Sequence, residues 1–348
     1  MERRTFLQVG AGTAASGVWP EGKKIRAGMV GTQHSHADGK LKTMLDSPDY
    51  EVAGVSESDA AARKKKEGSG LYQGVRWASE EELFGDPAID LIAVETLVPD
   101  LMRCGQRAIA AGKHLHIDKP PSPEMAPFRE LVEEARRKRL LLQTGYIWRF
   151  HQGFAAAFEV ARKGWLGRVY MVRGTINTDL TAASRSGLAR YRGGMMFELG
   201  CHMIDRVVDL WGRPNSVRSW LRHDTETGDA LADNTLAVFE YSQGLAVISS
   251  GARMPLSTPH RSFELTGTEG AVMIQPVEPA PKIRVNLREA RGPYRAGWQE
   301  VELPPQPRYV GDFKDLARAL KSGQPLKYSY DHELLVQEAL LRACGEKV

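Results

Sequence analysis

Cysteine is scarce in this chain: Cys104, Cys201 and Cys344 are the only three in 348 residues, and no two form a CxxC pair. They can build neither a disulfide framework nor a zinc module, and they leave the redox compartment open. Long apolar runs are missing too. No stretch reaches the ~18 consecutive apolar residues of a membrane-spanning helix, so no membrane insertion is expected. Charge of one sign is equally thin, because a net +4 spread over the whole chain is too dilute for a nucleic-acid footprint. What is present is ordinary for a globular protein, 42% hydrophobic and 26% charged, at a length that suggests about two domains. A small molecule is therefore the expected partner, not a nucleic acid.

The first residues carry Arg3 and Arg4, then Thr5, Phe6 and Leu7 and a weakly apolar Gly/Ala run ending near Pro20. This resembles a twin-arginine export signal and predicts a periplasmic or exported protein, with a cytoplasmic one as the alternative. The same run contains a decoy: Gly10, Gly12 and Ala15 fit the GxGxxA dinucleotide fingerprint. FLQV before it is short for a central strand, and Pro20 cuts off a following helix, so the run is assigned to the signal.

From Lys24 short apolar runs alternate with helical stretches. IRAGMV, EVAGV, VRW, LIAVE, HLHI and LLLQT read as strands, with helices ending near Asp46 and Lys66 and spanning about 99–111 and 123–139. Apolar runs without alternation suit strands buried on both faces of a parallel sheet. Beyond Phe150 a helix over about 152–163 leads into closely spaced strands at RVYMVRGTIN, DNTLAVFEY, GLAVISSGA, RSFELTG and AVMI, which predicts an open, mostly antiparallel sheet. Helical periodicity returns over 310–343. No internal repeat or low-complexity linker is visible. The expected division is a signal or disordered N-terminus (1–23), a Rossmann doubly wound domain (24–146), an α+β substrate and oligomerisation domain (147–307), and C-terminal helices packing back on the core (308–348).

Doubly wound sheets bind dinucleotides outside the carboxyl ends of their strands. The turn after the first strand reads Gly31, Thr32, Gln33, His34, Ser35, His36, which keeps only the first fingerprint glycine. Glu57 follows the second strand at about the spacing of the acid that accepts ribose hydroxyls, and its charge favours NAD over NADP. His34 and His36 lack a carboxylate or thiolate nearby in sequence, so no metal is expected. Lys119, in His116-Ile117-Asp118-Lys119-Pro120-Pro121, emerges at the end of what reads as the fifth strand; a surface lysine before a tight turn is the plainer alternative. Glu198, His202, Asp205 and Asp209 recur at helical spacing and would share one stripe. That is either an acidic face shown to water or a histidine base tuned by flanking carboxylates.

These segments resemble the Gfo/Idh/MocA family, typified by glucose-fructose oxidoreductase and inositol dehydrogenase. AGKHLHIDKPPS is similar to its AGKHVxxEKP segment, and GGMMFELGCHMID to its GGGxxxDxGxHxxD segment. WRF at 148–150, LGRVYMVRG at 166–174 and LTGTEGAVMI at 265–274 match in order and spacing. The likeness runs from about Ile25 to Leu341. It implies an NAD(P)-dependent sugar or polyol dehydrogenase in which His202 is the acid/base, Lys119 donates to the substrate oxygen, Glu198 holds a neighbouring hydroxyl and Asp205 orients the imidazole. Cofactor contacts would come from Gly31, Thr32, Gln33, His34, Glu57, Thr96, Asp118 and Lys119, and substrate contacts from Arg149, Asn177 and Tyr191. Asp118 stands where the family usually has Glu, and Glu198 where it has Asp. Two other readings are an NAD-dependent glycosidase that oxidises transiently and then eliminates, and a dinucleotide-binding protein whose chemistry has lapsed. An open sheet face needs cover, so a homodimer or homotetramer through it is expected.

Overall fold

The computed structural model describes residues 19–304 and 307–348. The Arg3–Arg4 motif and the glycine decoy lie outside the described residues. The first half contains β1 (Ile25–Val30), α1 (Ala37–Asp46), β2 (Tyr50–Ser56), α2 (Ala60–Glu67), α3 (Glu80–Gly85), β3 (Leu91–Val94), α4 (Val98–Ala110), β4 (His114–Ile117), α5 (Met125–Lys138) and β5 (Leu142–Thr144). Its five strands are parallel in the order β2-β1-β3-β4-β5. Every residue of β3 is buried, as its unbroken apolar run requires between two layers of helices. VRW is not a strand: Val55 and Trp77 form one isolated bridge. HLHI is accordingly the fourth strand, not the fifth.

The second half contains α6 (Gln152–Arg162), β6 (Val169–Asn177), α7 (Ala182–Leu188), α8 (Cys201–Trp211), β7 (Ser216–Arg222), β8 (Asn234–Tyr241), β9 (Gly244–Gly251), β10 (Ser262–Gly267), β11 (Gly270–Ile274), β12 (Ile283–Leu287) and β13 (Gly297–Val301). They form an eight-stranded sheet, β13-β12-β11-β10-β6-β9-β8-β7, antiparallel except between β6 and β9. The inner face carries Val172, Ile176, Phe239, Ile248, Phe263 and Leu265, all buried. Phe154 of α6 meets Phe263 with ring centres 4.9 Å apart, and Met203 of α8 packs over Gly174. On the outer face the register aligns Trp220 with Leu236 and Glu240 with Leu245, and Trp220 and Trp298 are more than half exposed.

The chain returns through α9 (Val310–Ser322) and α10 (Tyr330–Ala343). α9 touches α1, while α10 packs on α5 and β5 of the first half and on α8 and β7 of the second. One continuous buried core joins both halves. Among the described residues no helix is long and apolar enough to cross a membrane.

Candidate active site

The turn after β1 is shaped by Gly31, whose φ of +86° disfavours any side chain. A Cβ there would also stand 2.6 Å from the backbone nitrogen of Thr96, so turn and β3 end touch through glycine alone. Thr32 donates its backbone N–H and its hydroxyl to Glu57 Oε2 at 2.8 and 2.7 Å, and Gln33 Nε2 donates to Oε1 at 3.0 Å. Glu57 thus stands at the end of β2 with its carboxylate bracing the degenerate glycine turn. Thr96 Oγ1 is buried without a partner.

Beneath this turn lies a buried charge cluster that sequence reasoning missed. Lys40 occupies an inward position of α1 beside Ala37, Leu41 and Met44, and its Nζ meets Glu95 Oε1 at 2.8 Å and Asp118 Oδ2 at 2.9 Å. A lysine in the apolar stripe of a helix and a glutamate closing the apolar run LIAV were the available signals. Asp118 also accepts from the Lys119 backbone N–H at 2.6 Å, and the Nδ1 atoms of His34 and His36 lie 2.7 and 3.2 Å from its Oδ2. Burial alone would raise the Asp118 carboxyl, but His34, Lys40 and His36 hold it well below the usual range. Glu95 goes the other way, pushed up by burial and then by the Asp118 charge. Burial takes the His36 imidazole down to about 3. No carboxylate or thiolate stands near the two histidines in sequence, but the fold brings one to them: ligand atoms of His34, His36 and Asp118 all lie within 4.8 Å of one another. The fold supplies the acid from the end of β4, which linear spacing cannot reveal.

The second half contributes Glu198 and His202. Met196–Gly200 is a π-helical turn leading into α8, so the regular helical spacing breaks and the four polar residues do not form a single stripe. Glu198 accepts from Lys119 Nζ through its carboxylate at 2.8 Å and its carbonyl at 3.0 Å. Lys119 is buried, not a surface lysine; burial would lower its ammonium, but Glu198, Cys201 and Asp118 hold it above its ordinary value. The His202 ring sits 5.4 Å from Trp148, 6.0 Å from His36 and 6.1 Å from Tyr146 between ring centres, and its Nδ1 is buried without a partner. Burial, then the charges of Lys119 and His36, push this imidazole well below its ordinary value. Lys119 and His202 thus belong to one cluster, and Glu198 is its member facing the open cleft.

Two assignments change. Asp205 does not orient His202: it accepts from Arg149 Nε and Nη2 at 3.0 and 2.9 Å and from Arg206 Nε at 2.9 Å. Arg149 does not line a sheet face; it is buried, donates also to both oxygens of Glu333 on α10 at 2.5 and 2.7 Å, and lies between the rings of Tyr146 and Tyr328. All of Cys201–Val208 is buried, so the charged residues of α8 find partners inside the protein and not in water.

A cleft of about 550 Å³ separates Gln33–Ser35 and Leu97–Pro99 from Thr178, α7, Tyr191, Met195, Glu198 and Leu199. Gln33, His34 and Tyr191 line it, and Tyr191 stacks on Phe197 with ring centres 4.9 Å apart. Asn177 does not; it stands one residue before the lining Thr178, and its amide lies beside the Met254 sulfur at 3.3 Å. Arg185 fixes the α7 wall, donating to Asp229 and Asp233, each at 2.7 Å. A cavity of similar size, about 580 Å³, lies beyond Tyr309 between Phe150, His151, Glu278 and Asp312.

Residues 25–146 match the model of an oxidoreductase family with an NAD-binding Rossmann fold, and residues 154–273 match that of the GFO/IDH/MocA C-terminal domain. The chain is 29% identical over 251 residues to the uncharacterized oxidoreductase YhhX of Escherichia coli, covering 71% of this chain and 70% of that one. It is 23% identical over 305 residues to a protein named myo-inositol 2-dehydrogenase from Thermotoga maritima, covering 86% and 88%. An Agrobacterium radiobacter oxidoreductase solved in complex with NAD+, L-tartaric acid and magnesium shares the fold, with a TM-score of 0.77 at 14% identity over 91% of this chain and 94% of that one. The chain belongs to the GFO/IDH/MocA family of oxidoreductases, its first half being the family's NAD-binding Rossmann domain.

Proposed function

We propose that this protein transfers a hydride reversibly between a nicotinamide dinucleotide, NAD in preference to NADP, and a secondary hydroxyl of a sugar or polyol. The observation that carries the reading is the Lys119–Glu198 contact, with Glu198 on the cleft wall and the buried Lys119 and His202 behind it. The residues fit a dinucleotide along the carboxyl ends of the first sheet: the Gly31–His34 turn and Leu97–Pro99 form one cleft wall, and Thr96 Oγ1 is a buried polar atom without a protein partner. When bound, the nicotinamide ring supplies the hydride acceptor.

The chain's own groups do the rest. His202 is held neutral by burial and by Lys119, so at neutral pH the ring accepts the hydroxyl proton, as a general base must. Lys119 stays charged beside Glu198 and donates to the oxygen on which negative charge develops. Glu198 faces the cleft and takes a neighbouring hydroxyl. The Glu57 carboxylate at the end of β2 disfavours a ribose phosphate, which supports the preference for NAD. The relative named myo-inositol 2-dehydrogenase supports a polyol substrate. Exposed Trp220, Leu245 and Trp298 support pairing of copies into a dimer or tetramer through the outer sheet face.

The test is NAD reduction by a panel of polyols and sugars, followed by His202→Ala on the best substrate. The variant is expected to lose on the order of a hundred- to ten-thousand-fold in kcat/KM while still binding the cofactor. Near-normal turnover by the folded variant would remove His202 from the role.

A further inference from the structure

We propose that His34, His36 and Asp118 form a binding site for one divalent first-row transition metal ion of the zinc class. The site shares His34 and Asp118 with the expected cofactor contacts, but the hydride reading requires neither His36 nor a metal ion, so the two are tested apart. Two imidazoles come from one turn, spaced so that both reach inward, and the carboxylate comes from the end of β4, two strands away in the sheet. Two nitrogens and one oxygen suit zinc, iron, cobalt or nickel better than magnesium or calcium.

The spacing fits. Ligands about 2.1 Å from a metal stand about 3.0 to 3.4 Å apart along an octahedral or tetrahedral edge. The Nδ1 atoms of His34 and His36 lie 2.7 and 3.2 Å from Asp118 Oδ2, close to such edges, and since all three ligand atoms lie within 4.8 Å of one another, the ligands need to approach by no more than about 1.4 Å to complete a tetrahedral edge. The two rings meet edge to face at 71° and so do not stack out of reach. All three residues are buried, which protects a bound ion, while His34 lines the cleft and gives it a path in.

The supporting shell is also built. The Lys119 backbone N–H holds Asp118 Oδ1, leaving Oδ2 turned to the imidazoles. Lys40 shares Oδ2 but has Glu95 Oε1 at 2.8 Å to retain it when an ion takes that oxygen. Outer hydrogen bonds of this kind orient metal-ligating carboxylates. Glu95 Oε2, on the carboxylate that shares Lys40 with Asp118, is buried without a partner. Without metal, His36 Nδ1 pairs with Asp118 while His34 Nδ1 accepts from the His36 backbone N–H at 3.3 Å, and the experiment separates this arrangement from the metal-bound one.

The full chain is stripped by dialysis against a chelator and titrated with Co2+, read by visible absorption, and with Zn2+, read by calorimetry. The expected result is one ion per chain, a cobalt ligand-field spectrum, and at least tenfold weaker binding in His34→Ala and in His36→Ala, while His260→Ala on an exposed turn binds as the wild type. Circular dichroism checks that the variants fold, and a zinc-dependent rise in wild-type melting temperature gives a reading that needs no variant. Less than about a tenth of an ion per chain, or wild-type affinity in both cluster variants, overturns the site. Polyol-dependent NAD reduction is measured separately in the stripped protein, so loss of metal binding with intact turnover refutes only the metal, and the converse refutes only the hydride reading.

Discussion

Replacing Arg149 with methionine removes the cation that stands between two buried carboxylates, Asp205 and Glu333, while keeping a side chain of similar length. Breaking one partner out of a buried ion pair costs about 3–5 kcal/mol, because the remaining charge is stranded in the interior. Here two carboxylates are stranded, although Arg206 still reaches Asp205, so the loss is expected within that range. An unfolding entropy of about 2.1 cal/mol/K per residue over 348 residues turns this into a melting temperature about 4–7 °C lower. The pH dependence gives the sign. Burial alone would raise the Asp205 carboxyl, but Arg149 and Arg206 hold it far below its ordinary value, so its contribution is full above about pH 4 and fades as the pH falls further. The gap between wild type and Arg149→Met should therefore narrow in acid. Adding Asp205→Asn to Arg149→Met should recover part of the loss, since the two sites are in contact. Urea and thermal unfolding measure all of this. A variant that melts within 1 °C of wild type but has a raised KM would refute the buried-brace account and return Arg149 to the substrate site.

Three further outcomes follow from the same reasoning. Asp312 is buried with its Oδ1 unpartnered, and burial, against Lys40 and Arg149, raises its carboxyl to about 7. Its folded value lies above the unfolded one, so the wild type loses stability from about pH 4 to pH 7, by up to roughly 4 kcal/mol. Asp312→Asn should match wild type near pH 4 and exceed it at pH 8 in urea unfolding; parallel curves would contradict the burial argument. Glu198→Gln removes the carboxylate that keeps Lys119 charged, so the alkaline limb of the kcat/KM profile should move to lower pH, and an unmoved limb would separate the two residues. Under the proposed pairing through the outer sheet face, wild type should scatter light as a dimer or tetramer and Trp220→Glu combined with Leu245→Glu as a monomer; an unchanged mass would exclude that face as the contact.

The parallel sheet was legible because strands buried on both faces spell unbroken apolar runs, and IRAGMV coincides with β1 residue for residue. The edge strands β7 and β13 were not, since SVRSWLR and GWQEV mix exposed polar residues with few apolar ones, and β12 beside β13 was missed because its alternation of buried Ile283, Val285 and Leu287 runs for only five residues. Short α7 escaped for the same reason: its Arg185 is fixed by acids more than forty residues away. The family resemblance singled out Lys119, Glu198 and His202, while helical spacing assumed a regular helix that the π-helical turn at Met196–Gly200 interrupts, and Glu198 meets Lys119. The roles first given to Arg149 and Asp205 changed because Arg149 is shared between Asp205 and Glu333, residues far along the chain that no local pattern reaches. Lys40 was visible only as an anomaly, a charge in an apolar stripe whose meaning depends on two strand ends.

The most direct measurement of the central claim uses a polyol deuterated at its carbinol carbon, incubated with the full chain and NAD, with mass spectrometry of the recovered cofactor. The account predicts deuterium on the reduced nicotinamide ring in wild type and its loss in His202→Ala. Deuterium released to water, or a cofactor that binds and leaves unlabelled with every polyol offered, would contradict it.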